Sequence, residues 1–190
     1  MRGRAAEEGG LDQHQRHVEP ALEQRRQLRP ELLLRRRGQR GARRRPRGDE
    51  AGYVTGVLAA KLTKSKIIGL VGPVDAGDAK LHVDGFLAGV KATDPDVKVN
   101  VSFTGSFGDT ALAAEAANTH LAAGADVLTG SSQQVVGAIG VAKEKGVPWI
   151  GVQADQSSAA PDTVMASAIY DWKQLLKDIL AKRAAGTLGG

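Results

Sequence analysis

Short apolar runs alternate with amphipathic helical stretches after residue 50, and glycine or proline turns punctuate them. These two observations predict an α/β fold, a parallel sheet with helices on both faces. Parallel strands need a crossover between them, and such crossovers are right-handed, so each helix packs back onto the sheet.

The elements follow in order. Ala51–Leu62 reads as a packed helix with Tyr53, Val57, Ala60 and Leu62 along one face and Gly56 allowing close approach. Lys66–Val71 is an apolar run closed by Gly72-Pro73, and Val97–Phe103 alternates before Thr104-Gly105; both read as strands. Asp126–Thr129, closed by Gly130-Ser131-Ser132, and Val147–Val152, closed by Gln153-Ala154-Asp155, are two more, with Thr163–Ala168 a weaker fifth. Helical periodicity fills Ala79–Ala92, Thr110–Ala123, Gln133–Lys145 and Tyr170–Ala185, and Gly124 and Gly146 stand where helix-terminating glycines belong.

The first fifty residues differ in kind. They hold 14 Arg and no Lys, whereas residues 51–190 hold 11 Lys and 1 Arg. They also lack Ile, Phe, Tyr, Trp, Asn, Ser and Thr. The expected organisation is therefore an Arg-rich leader over residues 1–48 and one folded lobe over 49–190. An Arg block suits phosphate, which makes a basic arm one reading of the leader. The composition agrees better with a shifted reading frame of a GC-rich gene, where Arg, Ala, Gly and Pro codons dominate and Lys, Ile and Asn codons are scarce. His14 and His17 are incidental on either reading.

Charge follows the same boundary. Residues 1–50 have 14 Arg against 8 acidic residues, and residues 51–190 have 12 basic against 13 acidic residues. The folded part is close to neutral, so no nucleic-acid partner is expected for it. The absence of Cys excludes disulfides, thiolate nucleophiles and Cys-ligated metals. No apolar run approaches the ~18 residues of a membrane span, and no secretory signal core is present.

In an open parallel sheet, ligands bind in the crevice beyond the carboxyl ends of the strands. Five loops share that edge here: Gly72–Asp78, Gly105–Asp109, Gly130–Gln133, Gln153–Gln156 and Ser167–Tyr170. Gly72 to Gly77 follows a strand, but Asp78 and Ala79 stand where a phosphate loop needs Lys and then Ser or Thr. No dinucleotide fingerprint or nucleophile elbow occurs. Asp78 and Asp109 precede helices and read as caps. Asp155 clusters with Gln153 and Gln156, which suits hydrogen bonding to hydroxyls or a base edge, with a turn-forming Asp as the alternative. His82 and His120 lie within helices, and His120 reads as a solvated helix residue. No cofactor is expected, and the edge has the profile of a binder rather than an enzyme.

The ordered motifs GYVTGVLAAKLTKSKIIGLVG, DGFLAGVKATDP, TGSFGD, GADVLTG and KEKGVPWIGVQADQ resemble the basic-membrane-protein family of ABC-transporter substrate-binding lipoproteins, from Glu50 nearly continuously to Gly190. The resemblance implies a type-I periplasmic-binding-like fold, of which this chain carries the second, truncated lobe. It also implies a purine nucleoside or similar ligand held between two lobes, a permease partner, and a lipid-anchored extracytoplasmic location. A chain without signal peptide or lipidated cysteine would stay in the cytoplasm.

Site residues carry over in part. Where the family has G-V-D-x-D-Q, with the first acid on the ligand's ribose, this sequence has Gly151-Val152-Gln153-Ala154-Asp155-Gln156. His82 stands where the family places a base-stacking Phe, and Tyr170 near a common Lys. With Gly130, Ser131 and Phe107, these imply a neutral, hydrogen-bonding pocket formed by His82, Phe107, Gly130, Ser131, Gln153, Asp155 and Gln156. Two readings from other classes remain: a transcriptional regulator with a basic N-terminal arm, which lacks a helix-turn-helix pattern, and an α/β enzyme, which lacks a catalytic constellation.

Overall fold

The computed structural model describes residues 47–187. The leader proposed from composition therefore lies outside the described residues, apart from Arg47 and Gly48. The chain runs α1 (Gly48–Leu62), β1 (Ile67–Gly72), α2 (Gly77–Thr93), β2 (Lys98–Phe103), α3 (Thr110–Ala122), β3 (Val127–Gly130), α4 (Val135–Lys145), β4 (Trp149–Gln153), β5 (Val164–Ile169) and α5 (Lys173–Ala184). The strands form one parallel sheet in the order β2-β1-β3-β4-β5. From β1 the chain moves outward to β2, then crosses back to β3 on the other side of β1. That reversal opens a crevice at the carboxyl ends of β1 and β3.

Two helices cover each face, as expected. On one face Ala113 and Ala117 of α3 and Val135, Ala138, Ile139 and Ala142 of α4 pack with Val71, Leu128 and Trp149. On the other, Leu58, Ala59 and Leu62 of α1 and Val83, Phe86 and Val90 of α2 pack with Ile68, Leu70, Val127 and Ile150. The central strands are buried on both sides, which is why β1 and β3 read as unbroken apolar runs. In contrast, α5 buries no residue and exposes Leu176, Ile179 and Leu180.

Three local expectations need correction. The inner face of α1 is not the Tyr53 face: Tyr53 is 44% exposed, while Gly52, Thr55, Gly56 and Ala59 are buried. Backbone contact decides this. A Cβ on Gly52 would stand 2.1 Å from the His82 carbonyl oxygen, and one on Gly56 2.2 Å from that of Phe86. Gly85 and Gly89 of α2 reciprocate, each 2.1 Å from the Asp49 or Tyr53 carbonyl oxygen. The two helices thus mesh backbone to backbone, and the glycine stripe outweighs the larger apolar side chains.

His120 is also not solvated. It is 3% exposed, and its Nε2 lies 3.2 Å from the Leu70 carbonyl oxygen. The imidazole reaches the sheet because β1 has Gly69 beneath it, where a Cβ would stand 2.6 Å from that of His120. Burial depresses the His120 pKa, with the Leu70 carbonyl acting weakly in the opposite sense. The third correction concerns Asp78. Ala76 is the N-cap of α2 and Asp78 lies inside its first turn without a side-chain cap bond, whereas Asp109 caps α3 through the amides of Ala111 and Leu112.

Candidate functional site

The turns at the carboxyl ends of the strands determine what faces the crevice. A hollow of about 170 Å³ lies there, lined by Pro73, Asp78, Ala79, His82, Phe107, Ser131, Ser132, Gln133, Val152, Gln153 and Tyr170. Each of the five loops identified from sequence supplies at least one of these residues. Four of the seven sequence-derived site residues meet in it: His82, Phe107, Ser131 and Gln153.

Local chemistry explains each position. His82 comes from the first turns of α2 and is 2% exposed. Neither ring nitrogen makes a hydrogen bond of ordinary geometry. Burial depresses its pKa, opposed by the approach of the Gly48 backbone and the charge of Asp78. An imidazole kept neutral carries one donor and one acceptor, and the ring lines the hollow. Ser131 is 4% exposed, and its Oγ is likewise unpartnered. Unsatisfied buried polar atoms cost about 1–3 kcal/mol each, so their concentration around one hollow calls for a ligand or solvent partner.

Gln153 closes β4 with a left-handed φ of 75°, and Ser132 in the adjacent loop has a φ of 69°. Such backbone is uncommon outside glycine and gathers at binding loops. The Ser132 amide donates to Gln153 Oε1 at 3.1 Å, tying the two loops together. Because an amide N–H must face the oxygen, the Gln153 side-chain NH₂ is left as the group available to a ligand. Gly130 lies directly before Ser131 and lines the hollow only through its neighbour. A Cβ there would stand 2.6 Å from the Val71 carbonyl oxygen, so glycine is required by packing between β1 and β3.

Asp155 and Gln156 do not line the hollow. Asp155 accepts the Ser157 amide at 2.9 Å in a turn. Gln156 is spent internally: its Oε1 accepts Trp149 Nε1–H at 2.7 Å, its Nε2 donates to the Val152 carbonyl at 3.0 Å, and its amide donates to Ser167 Oγ at 3.1 Å. It braces β4 against the loop that follows. Sequence reasoning missed the place of Asp78, read as a cap, and of Tyr170, named only as a departure from a family lysine. Both lie within the five loops, and that was the available signal. Burial and the charge of Asp78 raise the Tyr170 pKa.

The wall is therefore mostly neutral and hydrogen-bonding, with one exposed aromatic face, Phe107, and one carboxylate, Asp78, at its rim. It can hold a small polar ring system. The chain is similar in structure to an ABC transporter solute-binding protein from Conexibacter woesei, with a TM-score of 0.61 and 29% identity over 75% of this chain and 47% of that one. In sequence it is 32% identical over 123 residues to a purine-binding protein of Brucella abortus, covering 65% of this chain and 35% of that protein. It is 34% identical over 128 residues to Basic membrane protein A of Borreliella burgdorferi, covering 66% of this chain and 38% of that protein. The chain thus spans little more than a third of the length of these curated relatives. Among the described residues, no helix is long and apolar enough to cross a membrane. A model of PnrA-like ABC transporter substrate-binding proteins matches residues 45–190, and the chain belongs to that family.

Proposed function

We propose that residues 49–190 form one lobe of the solute receptor of an ABC uptake transporter, and that the hollow is this lobe's half of a cleft for a purine nucleoside or similar small polar ligand. The observation that carries the reading is the set of buried, unpartnered polar atoms of His82 and Ser131 around a 170 Å³ space among the strand-end loops. The Brucella abortus relative named for purine binding supports the ligand class. The function is binding without chemistry. A ligand bridging two lobes stabilises the closed form by its differential affinity, and the closed form is what a membrane permease would engage, outside the cytoplasm in the full-length protein.

In this reading Phe107 stacks on the base, His82 and Ser131 take up its polar edge, and the Gln153 amide donates to a ligand acceptor. Asp155 and Gln156 act by shaping the β4–β5 turn. A single lobe supplies only part of the contacts, so its affinity is weak. Calorimetry of the 190-residue chain with inosine, adenosine and guanosine tests the proposal. Dissociation constants well above the micromolar range are expected. Micromolar affinity would contradict the single-lobe reading, and no heat with any of the three at millimolar concentration would contradict the nucleoside reading.

A further inference from the structure

Gln134 lies one residue beyond the loop that carries Ser131, Ser132 and Gln133, and it is fully buried at 0% exposure. It does not line the hollow. Its contacts run to the neighbouring loop. Its backbone amide donates to the Phe107 carbonyl at 2.9 Å, and its Oε1 accepts the Thr104 hydroxyl at 2.6 Å. Thr104 Oγ1 in turn accepts the Ser106 amide at 3.2 Å, and Ser106 Oγ accepts the amides of Gly108 and Asp109 at 3.3 and 3.1 Å. One buried side chain thus anchors a relay that runs through the whole β2–α3 loop.

We infer that Gln134 is a positioning residue that locks the Phe107 loop to the Ser131–Gln133 loop and so sets the width of the hollow. The inference rests on the hollow being the ligand site. Phe107 is more than half exposed, and its backbone is held by the Gln134 amide on its carbonyl together with the Thr104–Ser106 relay that the Gln134 side chain anchors. The Thr104 hydroxyl donates or accepts equally well, so the link survives either orientation of the Gln134 amide. The Gln134 Nε2 has no partner in the interior. Replacing the side chain by Met removes the Thr104 link and that unsatisfied donor but keeps the backbone bond to Phe107, so global stability changes little while the Thr104–Ser106 relay loses its anchor.

Amide hydrogen exchange on the intact chain, with inosine titrations alongside, tests this. Thr104→Val and Gln134→Met should each speed exchange at Gly108 and Asp109 by about 5- to 10-fold, the loss of one hydrogen bond. The double variant should be no worse than either single one, Thr104→Ser should behave as wild type, and the β1 and β3 amides should not change. Inosine dissociation constants should rise by the same factor. Unchanged loop exchange, additive effects of the two substitutions, or equal acceleration in the strands would overturn the inference. If wild type shows no inosine binding, the nucleoside reading fails, and loop exchange still decides whether Gln134 positions the loop.

Discussion

At the scale of single residues, the buried histidines dictate how the protein answers to acid. Both His82 and His120 have folded-state pKa values below the ordinary 6.5 because burial penalises the charged ring. The unfolded chain therefore binds more protons as pH falls below about 6.5, and stability is full above that value and lost progressively below it. Denaturant midpoints measured from pH 7.5 to 5 should fall on the acid side, and His82→Leu should reduce the slope; a flat profile in wild type would contradict the burial of both rings. Asp126 governs a lower window. Burial opposes its ionisation, but the Thr63 hydroxyl and the Ser65 and Lys64 amides outweigh this and hold its pKa below 3.8. Its contribution is present above pH 4 or so and disappears as pH falls through the folded value. Removing the carboxylate in Asp126→Ala should cost roughly 2 kcal/mol at pH 7, measured by urea unfolding.

At the scale of elements, glycine position separates packing from propensity within one helix. A Cβ on Gly137 of α4 would stand 1.9 Å from the Thr110 carbonyl oxygen, whereas one on Gly140 meets nothing within 4 Å. Gly137→Ala should therefore cost about 3 kcal/mol by forcing α3 and α4 apart, while Gly140→Ala should gain up to about 1 kcal/mol from helix propensity. Equal effects in a chemical denaturation series would contradict the packing of α3 on α4. The same contrast explains what was legible in the sequence. All five strands and the helices between them could be read from periodicity and turn residues, to within three residues at each end, because each apolar run is buried in the sheet and Gly124 and Gly146 mark two helix ends. The orientation of α1 was legible only in part: Gly56, Ala60 and Leu62 are buried as read, but Tyr53 is not, because the glycines meet a backbone 30 residues away. His120 was missed likewise, since its place depends on Gly69 lying opposite in a strand 51 residues earlier.

At the scale of the whole molecule, parallel topology made the edge that carries the hollow legible before any side chain was placed. Strand order β2-β1-β3-β4-β5 puts the five strand-end loops on one rim, and each contributes to the hollow. Which residues in those loops face inward was less legible. Gln156 and Gln153 lie three apart with the same chemistry, yet the reach of Trp149 Nε1–H turns Gln156 into a brace, while a left-handed backbone directs Gln153 to the rim. At the far end of the sheet α5 leaves Leu176, Ile179 and Leu180 exposed. Amide chemical-shift mapping decides whether this rim is half of a ligand cleft. Titrating inosine into the labelled 190-residue chain should move the resonances of Phe107, Ser131, Ser132 and Gln153 together, and Ser131→Val should weaken the response several-fold. Shifts spread over α5 or the opposite sheet edge, with the rim resonances unmoved, would contradict the account.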